Sequence, residues 1–559
     1  MKVIIIGGVA GGATAAARIR RLDEQAEIIV FERTGFVSYA NCGLPYYIGG
    51  VITDQKKLTL QTPDGFWNRF RVRVKTYHEV IEIRTEEKNI RVKNLLTGEE
   101  WTETYDKLLL SPGARPVRPE LPGIDSKKIF TLRTVEDTLR IREYIEKNSP
   151  KSAVLVGGGY ISIETAENLC KAGIDITIIQ RPKQLMNTLD PDIASFVHEK
   201  MRSNGISLSL GRTVTGFREE GNKILTLLDG GESLAADMVL LAIGISPENR
   251  LAKEAGLSLG VKGSIVVNDR METSAPDVYA VGDAVQIKNL VTGGDAVIAL
   301  AGPANKQGRI AADNICGLES RYCGSPGSSI IQIFDLTAAC TGLTEKAASS
   351  AGIEYESVVL SAASHVSYYP GAKPMIMKVV YEKKTMRILG AQIAGGEGAD
   401  KRIDVLAAAI LAGLRADQLK ELDLAYAPPY SSAKDPVNMA GFMIENIETG
   451  KVKQYHWNEA AGLPRDGSVT LLDIRTAPEY DREHIDGYIN IPLDDLRERL
   501  NEIEKSKPVY VICQSGLRSY TACRILSQNG FDCYNFSGGY LFYKKIMRDK
   551  MLNETAAKK

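Results

Sequence analysis

The chain opens on a continuous apolar run at 3–6, followed by Gly7-Gly8-Val9-Ala10-Gly11-Gly12 and an alanine-rich stretch at 13–21 with arginines on one side. That succession predicts strand, turn and helix. A second apolar run at 27–31 closes the unit at Glu32. The pattern returns further on. Residues 153–156 predict a strand, Gly157-Gly158-Gly159-Tyr160-Ile161-Ser162 a turn, 163–172 a helix, and 175–179 a strand ending at Gln180. One glycine turn is a weak signal, but two, each after a strand and before a helix, predict two βαβ units that bind dinucleotides.

Between these units the period changes to short strands. Residues 79–110 read as strands with a turn at Thr97-Gly98, ending in an apolar run at 107–110 and Ser111-Pro112-Gly113-Ala114. Residues 206–243 repeat that style and end at Gly244, so both predict β-meanders inserted in nucleotide domains. A strand and turn at 273–283 carry Asp283 at the tip, and 328–444 read as strands with an alanine-rich helix at 403–414. Residues 446–467 are polar and irregular and predict a linker; from Ser468 the strand–helix alternation restarts.

Composition narrows the classes. Hydrophobic residues are 44% and charged residues 25% of 559, ordinary for a globular chain of several domains. Lys+Arg 69 balances Asp+Glu 69 without the basic stripe of a nucleic-acid binder. No apolar run approaches the roughly 18 residues of a membrane span, and the start is too quickly glycine-rich for a signal peptide. The 8 cysteines show no CxxC pair, so neither a disulfide scaffold nor a metal cluster is expected. The expected setting is a reducing cytoplasm, where a cysteine in a special context is more often reactive than structural.

The chemistry follows from the turns. Backbone N–H groups at a glycine turn, together with a helix N-terminus, receive a pyrophosphate. Glu32, at the next strand's end, suits a ribose hydroxyl pair, and Asp283 suits a flavin's ribityl and phosphate region. In the second unit the strand ends at Gln180-Arg181, where an acid would favour NADH and an arginine a 2′-phosphate, so the choice stays open. Cys42 lies in Ser38-Tyr39-Ala40-Asn41-Cys42-Gly43-Leu44-Pro45, with Pro45 suited to a first helical turn. A thiol at a helix N-terminus ionises more readily, which predicts a lowered thiol pKa and an available nucleophile. The next cysteine is Cys170, so Cys42 has no local partner and must cycle through a mixed disulfide, a persulfide or a sulfenic acid.

The GGVAGG turn, Glu32, Ser111-Pro112-Gly113-Ala114, the second glycine turn and YAVGDA resemble the pyridine nucleotide-disulfide oxidoreductases over residues 1 to 445, with Val9 in place of the fingerprint's middle glycine. SxxNCGLP resembles the single-cysteine branch: coenzyme A-disulfide reductases, NADH oxidases and NADH-dependent persulfide reductases. The resemblance implies an α/β fold with Rossmann-like FAD (1–112 and 245–327) and NAD(P) (113–244) domains and an α+β dimerisation domain (328–445). It implies FAD at Gly7, Gly8, Ala10, Gly12, Glu32, Arg33, Ser111, Pro112, Gly113 and Asp283, and NADH or NADPH at Gly157, Gly159, Tyr160, Ile161, Gln180 and Arg181, with NADH favoured. Coenzyme A would meet Thr14, Arg18, Arg21, Ser38, Asn41, Arg71, Asn305 and Lys434. Arg18 and Arg21, three apart, share a helix face that suits nucleotide phosphates. Tyr368 and Tyr426 match tyrosines that in this group reach the cysteine of the other subunit, which implies a homodimer; no His-Glu pair of the dithiol relatives is found in 421–445.

The C-terminal segment, with Asp473-Ile474-Arg475, the strand at 509–512, Cys513-Gln514-Ser515-Gly516-Leu517-Arg518-Ser519 and Ser537-Gly538-Gly539, resembles an α/β rhodanese module over 468–559. In that loop backbone N–H groups ring the sulfur above a helix N-terminus, and Arg518 adds positive charge. The short loop favours sulfur over phosphate chemistry. Cys523 and Cys533 read as core residues and His484 as a fold residue.

The combined expectation is an FAD- and NAD(P)H-dependent reductase of coenzyme A disulfide, persulfides or polysulfides, with Cys42, Cys513, Tyr368, Tyr426 and Arg518 as catalytic residues and Cys513 relaying sulfane sulfur. Small-molecule sulfur substrates are the expected partners, with neither nucleic acid nor membrane. An NADH oxidase cycling through a Cys42 sulfenic acid, and a sulfurtransferase delivering sulfur to a partner, are the alternatives.

Overall fold

The computed structural model describes residues 1–557. Contacts divide the chain into two compact units, residues 1–186 with 201–327, and 187–200 with 328–559.

In the first unit, the apolar run at the start becomes strand Lys2–Ile6 at the centre of a five-stranded parallel sheet. Its neighbours are Glu27–Glu32 and Lys107–Leu110, with Val72–Thr76 and Val278–Ala280 at the edges. Continuous apolar strands suit a sheet covered on both faces, and Val3, Ile4 and Ile5 have no exposed surface. A second parallel sheet is centred on Ser152–Val156, between Asp175–Gln180 and Met238–Leu241. The expected meanders are two antiparallel three-stranded sheets, His78–Arg84 to Glu100–Thr104 and Val214–Glu220 to Ser233–Ala236.

Both glycine-turn helices begin earlier than their sequences suggest. The first spans Ala10–Leu22 and the second Tyr160–Lys171. Gly11 and Gly12 are therefore helical, and their lack of a side chain serves close approach. A Cβ on Gly12 would lie 2.0 Å from the Gly7 carbonyl oxygen, and one on Gly308 would lie 2.4 Å from that of Gly11, where helix Ala301–Ile315 crosses. Only Gly7, at φ +92°, and Gly157, at φ +112°, need the left-handed region within these turns. Val9 stands at the N-cap with φ −104°, so its side chain is accommodated without strain.

In the second unit, a five-stranded antiparallel sheet runs in the order Ser329–Ile333, Leu336–Gly342, Ile388–Gly395, Pro374–Glu382, Tyr355–Ala363. Helix Ala399–Leu411 packs on it. The C-terminal parallel sheet is ordered Lys453–Tyr455, Cys533–Phe536, Val509–Ile512, Thr470–Asp473, Ile489–Asn490. Its first strand corrects the reading of 446–467 as a linker. Polar on its exposed side, Lys453–Tyr455 is an edge strand that buries Tyr455 completely enough to leave 1% exposed. The module is also joined to the antiparallel sheet: Val359 N–H donates to Ser537 Oγ at 3.1 Å and the Gln454 amide donates to the Ser357 carbonyl at 2.8 Å.

Candidate active site

The first βαβ unit forms one wall of a cleft lined by Gly7, Val9, Ala10, Glu32, Arg33, Asn41, Ser111, Pro112, Gly113, Arg133 and Asp283. Ser111 Oγ accepts from Gly12 N–H at 3.1 Å, which ties the Ser111-Pro112-Gly113 turn to the helix start. Glu32 is buried and already accepts from Gly8 N–H at 3.0 Å and from the Thr34 N–H and hydroxyl at 2.9 Å each. Both Thr34 donors reach Oε1 and the Gly8 N–H reaches Oε2, so Oε2 retains a further lone pair for a ribose hydroxyl. Asp283 accepts from Arg133 Nη2 at 2.5 Å, a partner the sequence reading missed because 150 residues separate them. Asn41 Oδ1 is buried with no protein donor. An acceptor in that state awaits a hydrogen-bond donor, so the donor-rich, anionic FAD fits this cleft.

Cys42 sits in a single turn, Asn41–Gly43, directly before the five-residue helix Leu44–Ile48. So short a helix supplies little dipole. The Cys42 thiol is pushed up from its ordinary value, by desolvation first and then by the Glu164 and Asp283 carboxylates, against the lowering pull of Arg133. The expected lowering is therefore not found in the protein alone: burial first, and the two carboxylates after it, raise the thiol. Glu164, on helix Tyr160–Lys171, is itself raised to about 7 by burial, against the lowering Tyr46 hydroxyl hydrogen bond at 3.4 Å. Because Glu164 gains its charge near pH 7, it raises the thiol only above that pH. Glu164→Gln should consequently speed iodoacetamide labelling of Cys42 several-fold at pH 8 and leave it unchanged at pH 6, where Glu164 is already neutral.

At the second glycine turn, a Cβ on Gly157 would lie 2.2 Å from the Ala242 carbonyl oxygen, whereas nothing lies within 4 Å of one on Gly159. Ser162 Oγ is buried without a donor or acceptor, the Gln180 side chain lies against Gly158, and Arg181 is exposed. Tyr160 and Ile161 form the first turn of the helix. The open space at Gly159 and the helix start suit a nucleotide pyrophosphate.

Of the residues matched to coenzyme A, Thr14 and Asn305 come together, the threonine hydroxyl donating to Asn305 Oδ1 at 2.8 Å. Arg18 is paired with Asp313 at 2.7 Å, while Arg21 is exposed. The two arginines thus differ: Asp313 offsets the charge of Arg18, and Arg21 presents its charge to solvent. Ser38 and Arg71 both hold positive φ, 47° and 48°, and Arg71 lies over Trp67 with its guanidinium 5.3 Å from the ring.

In the second unit the hydroxyls of Tyr368 and Tyr426 lie 2.8 Å apart. Arg402, which the sequence reading did not single out, has no exposed surface and holds both flanking loops. Its guanidinium donates to the Ser364 carbonyl at 3.0 Å, to Ser431 Oγ at 3.0 Å and to Asp435 at 2.9 Å. Lys434, beside Asp435, is exposed.

The Cys513 thiol is buried at the end of strand Val509–Ile512. Gly516 N–H and Ser519 Oγ–H donate to its sulfur at 3.1 and 3.2 Å, and helix Leu517–Gln528 starts beneath. Gly516, at φ +100°, makes the loop turn possible. Arg518 does not offer free charge as expected. It forms two 2.7 Å hydrogen bonds to Glu479 and holds that carboxyl down to about 2. Cys523 and Cys533 are buried in the core, and His484 stacks on Tyr480.

Residues 1–308 match the family model of pyridine nucleotide-disulphide oxidoreductase, 328–436 its dimerisation domain, and 456–545 a rhodanese-like domain. The chain belongs to the pyridine nucleotide-disulphide oxidoreductases. It is an FAD- and NAD(P)H-dependent enzyme of that family with a C-terminal rhodanese domain. It is 38% identical over 442 residues to the coenzyme A disulfide reductase of Staphylococcus aureus strain JH9, 79% of this chain and 99% of that one. It superposes on reduced Bacillus anthracis CoADR-RHD with a TM-score of 0.96 at 46% identity, covering 98% of each chain. With an NAD-dependent persulfide reductase from A. fulgidus the TM-score is 0.92 at 36% identity, covering 97% of this chain and 100% of that one. Among the described residues no helix is long and apolar enough to cross a membrane, and no acidic, histidine or cysteine cluster is arranged to hold a metal ion.

Proposed function

We propose that this oxidoreductase reduces coenzyme A disulfide, persulfides and polysulfides in the cytoplasm as a homodimer, using Cys42 as its redox cysteine. One observation carries the reading: Cys42 is exposed, and the groups acting on it are carboxylates and an arginine, with no second thiol among them. Such a thiol takes its sulfur partner from outside. Attack by the Cys42 thiolate on a disulfide forms a Cys42–S–S–R bond and expels the other half as a thiolate. Bound FAD would supply the two-electron link between nicotinamide and that sulfur. Arg133 lowers the thiol pKa against Glu164 and Asp283, and Asn41 Oδ1 receives a donor from the bound groups. Tyr368 and Tyr426, from the partner subunit, would stabilise the thiolate or hand over a proton. Thr14, Asn305, Arg21 and Lys434 would hold coenzyme A.

The rhodanese cysteine is auxiliary in this reading. Steady-state NAD(P)H oxidation under anaerobic conditions, with coenzyme A disulfide, coenzyme A persulfide and polysulfide, tests it. Cys513→Ser should slow polysulfide turnover about tenfold or more and change coenzyme A disulfide turnover less than twofold. Equal loss on all substrates would contradict the auxiliary role. Rapid aerobic NADH consumption without a sulfur substrate would favour the oxidase. Cyanide-dependent thiocyanate formation that survives loss of Cys42 while no reductase activity is found would favour the transferase.

A further inference from the structure

A cavity of about 510 Å³ opens onto the Cys513 loop within the second unit. One wall is the loop itself, Ser515, Gly516 and Leu517, with Asn535 and Phe536 of the neighbouring strand. The other is built from strand Tyr355–Ala363 and helix Pro436–Glu448, which present Val359, Leu360, Met439, Phe442 and Met443. Its volume is that of a small-molecule site. Two further observations say what it takes.

The first is charge. A cysteine loop that accepts sulfur from a small dianion such as thiosulfate needs uncompensated cations around the sulfur. Here both nearby arginines are spent on carboxylates. Arg518 is bound at both ends of its fork by Glu479, and Arg475, 1% exposed, donates to Asp473 at 2.7 and 3.0 Å. Among the described residues Lys434 is the one lysine or arginine in the lining, and it belongs to the opposite wall rather than to the Cys513 loop. The second observation is Asn535. It is 8% exposed, lines the cavity, and its Oδ1 is buried without a donor. An amide N–H of a ligand in the cavity would satisfy it.

We propose that this cavity is the donor site of the rhodanese domain, and that it takes an organic persulfide with an uncharged, amide-bearing arm in preference to thiosulfate. The proposal rests on the reading of Cys513 as the thiol that carries sulfane sulfur. In the step, the Cys513 thiolate attacks the terminal sulfur of R–S–SH. A new Cys513 sulfur–sulfur bond forms, the donor's S–S bond breaks, and the donor leaves as the thiolate R–S⁻. The proton stays on the Cys513 persulfide, and no outside oxidant or reductant is needed. The apolar wall carries the arm, Asn535 fixes its amide, and the N–H and hydroxyl donors at Gly516 and Ser519 hold the sulfur anion.

The test uses the full-length holoenzyme, anaerobic and without NAD(P)H, exposed to N-acetylcysteamine persulfide, thiosulfate or inorganic polysulfide. The added sulfur is followed by alkylation, digestion and mass spectrometry of the peptide carrying Cys513. N-acetylcysteamine persulfide, whose arm is uncharged and carries one amide, should load Cys513 at least about tenfold faster than thiosulfate. Glu479→Gln, which frees the Arg518 charge, should raise thiosulfate loading about tenfold. Asn535→Leu, which removes an unsatisfied buried acceptor and so spares the fold, should lower the ratio of amide-donor to polysulfide loading about tenfold. Equal loading by N-acetylcysteamine persulfide and thiosulfate, or an unchanged donor ratio in Asn535→Leu, overturns the proposal. Loading that persists in Cys513→Ser would instead remove the reading of Cys513 on which it rests.

Discussion

Cys42→Ser should abolish NAD(P)H oxidation with every sulfur substrate, by about a thousandfold or more, while the purified protein should stay yellow. The magnitude follows from the site. Serine offers an oxygen nucleophile that does not exchange with disulfides, and none of the charged groups acting on Cys42, namely Glu164, Asp283 and Arg133, supplies a substitute thiol. The flavin should remain because the cleft's wall is built by the Gly7 turn, Glu32 and the Ser111-Pro112-Gly113 turn. Stopped-flow reduction by NADH reports whether the flavin still accepts electrons, and steady-state assays report turnover. Fast flavin reduction with no turnover is the expected pair of results. Turnover within tenfold of the wild type would show that sulfur reduction does not pass through this thiol.

Lys378→Met should be the most destabilising of the single changes considered, costing about 3–5 kcal/mol. Lys378 lies on strand Pro374–Glu382, has 1% of its surface exposed, and meets Asp190 at 3.2 Å, Asp192 at 2.9 Å and Glu345 at 2.8 Å. Removing the ammonium leaves three carboxylates facing one another, two of them nearly without water. Burial already pushes Asp192 up, with Lys378 holding it down. In the variant the folded-state Asp192 carboxyl rises further above its unfolded value. Groups raised in that sense favour the fold only while protonated, so the deficit should grow as pH rises from about 5 to 8 and shrink on acidification. Urea unfolding at those two pH values checks the sign. Lys378→Met with Asp192→Asn should recover part of the loss, because one of the stranded charges is gone. A deficit independent of pH would mean that packing, not charge, holds this cluster.

Much of the architecture is visible in the residue order. Buried parallel strands read as unbroken apolar runs, so Lys2–Ile6 and Ser152–Val156 stand out within a residue. The isolated cysteine at 42 and the CQSGLRS loop are equally visible, because both are local patterns. Three features were not. The helices start three residues earlier than the sequence predicts, since a glycine needed for close packing looks the same in one dimension as a glycine that makes a turn; Gly11 admits the crossing helix and Gly12 packs against Gly7. The edge strand Lys453–Tyr455 was read as part of a linker because an edge strand, half in solvent, carries no long apolar run. The charged neighbours of the two cysteines are not legible for a third reason. Glu164, which adds to burial in raising Cys42, and Glu479, which occupies Arg518, lie 122 residues from Cys42 and 34 from Cys513 along the chain.

By itself the amino-acid order determined the fold class, the two nucleotide-type turns and the two candidate thiols, because those depend on hydrophobic period and on residues adjacent in the chain. The tertiary structure alone decided what surrounds each sulfur: the carboxylates that raise Cys42, the glutamate that occupies Arg518, the buried Arg402 that ties the tyrosine loops, and the cavity at the rhodanese loop. Electrostatic and hydrogen-bond energies fall with distance through space, and folding brings together residues whose separation along the chain gives no sign of that distance.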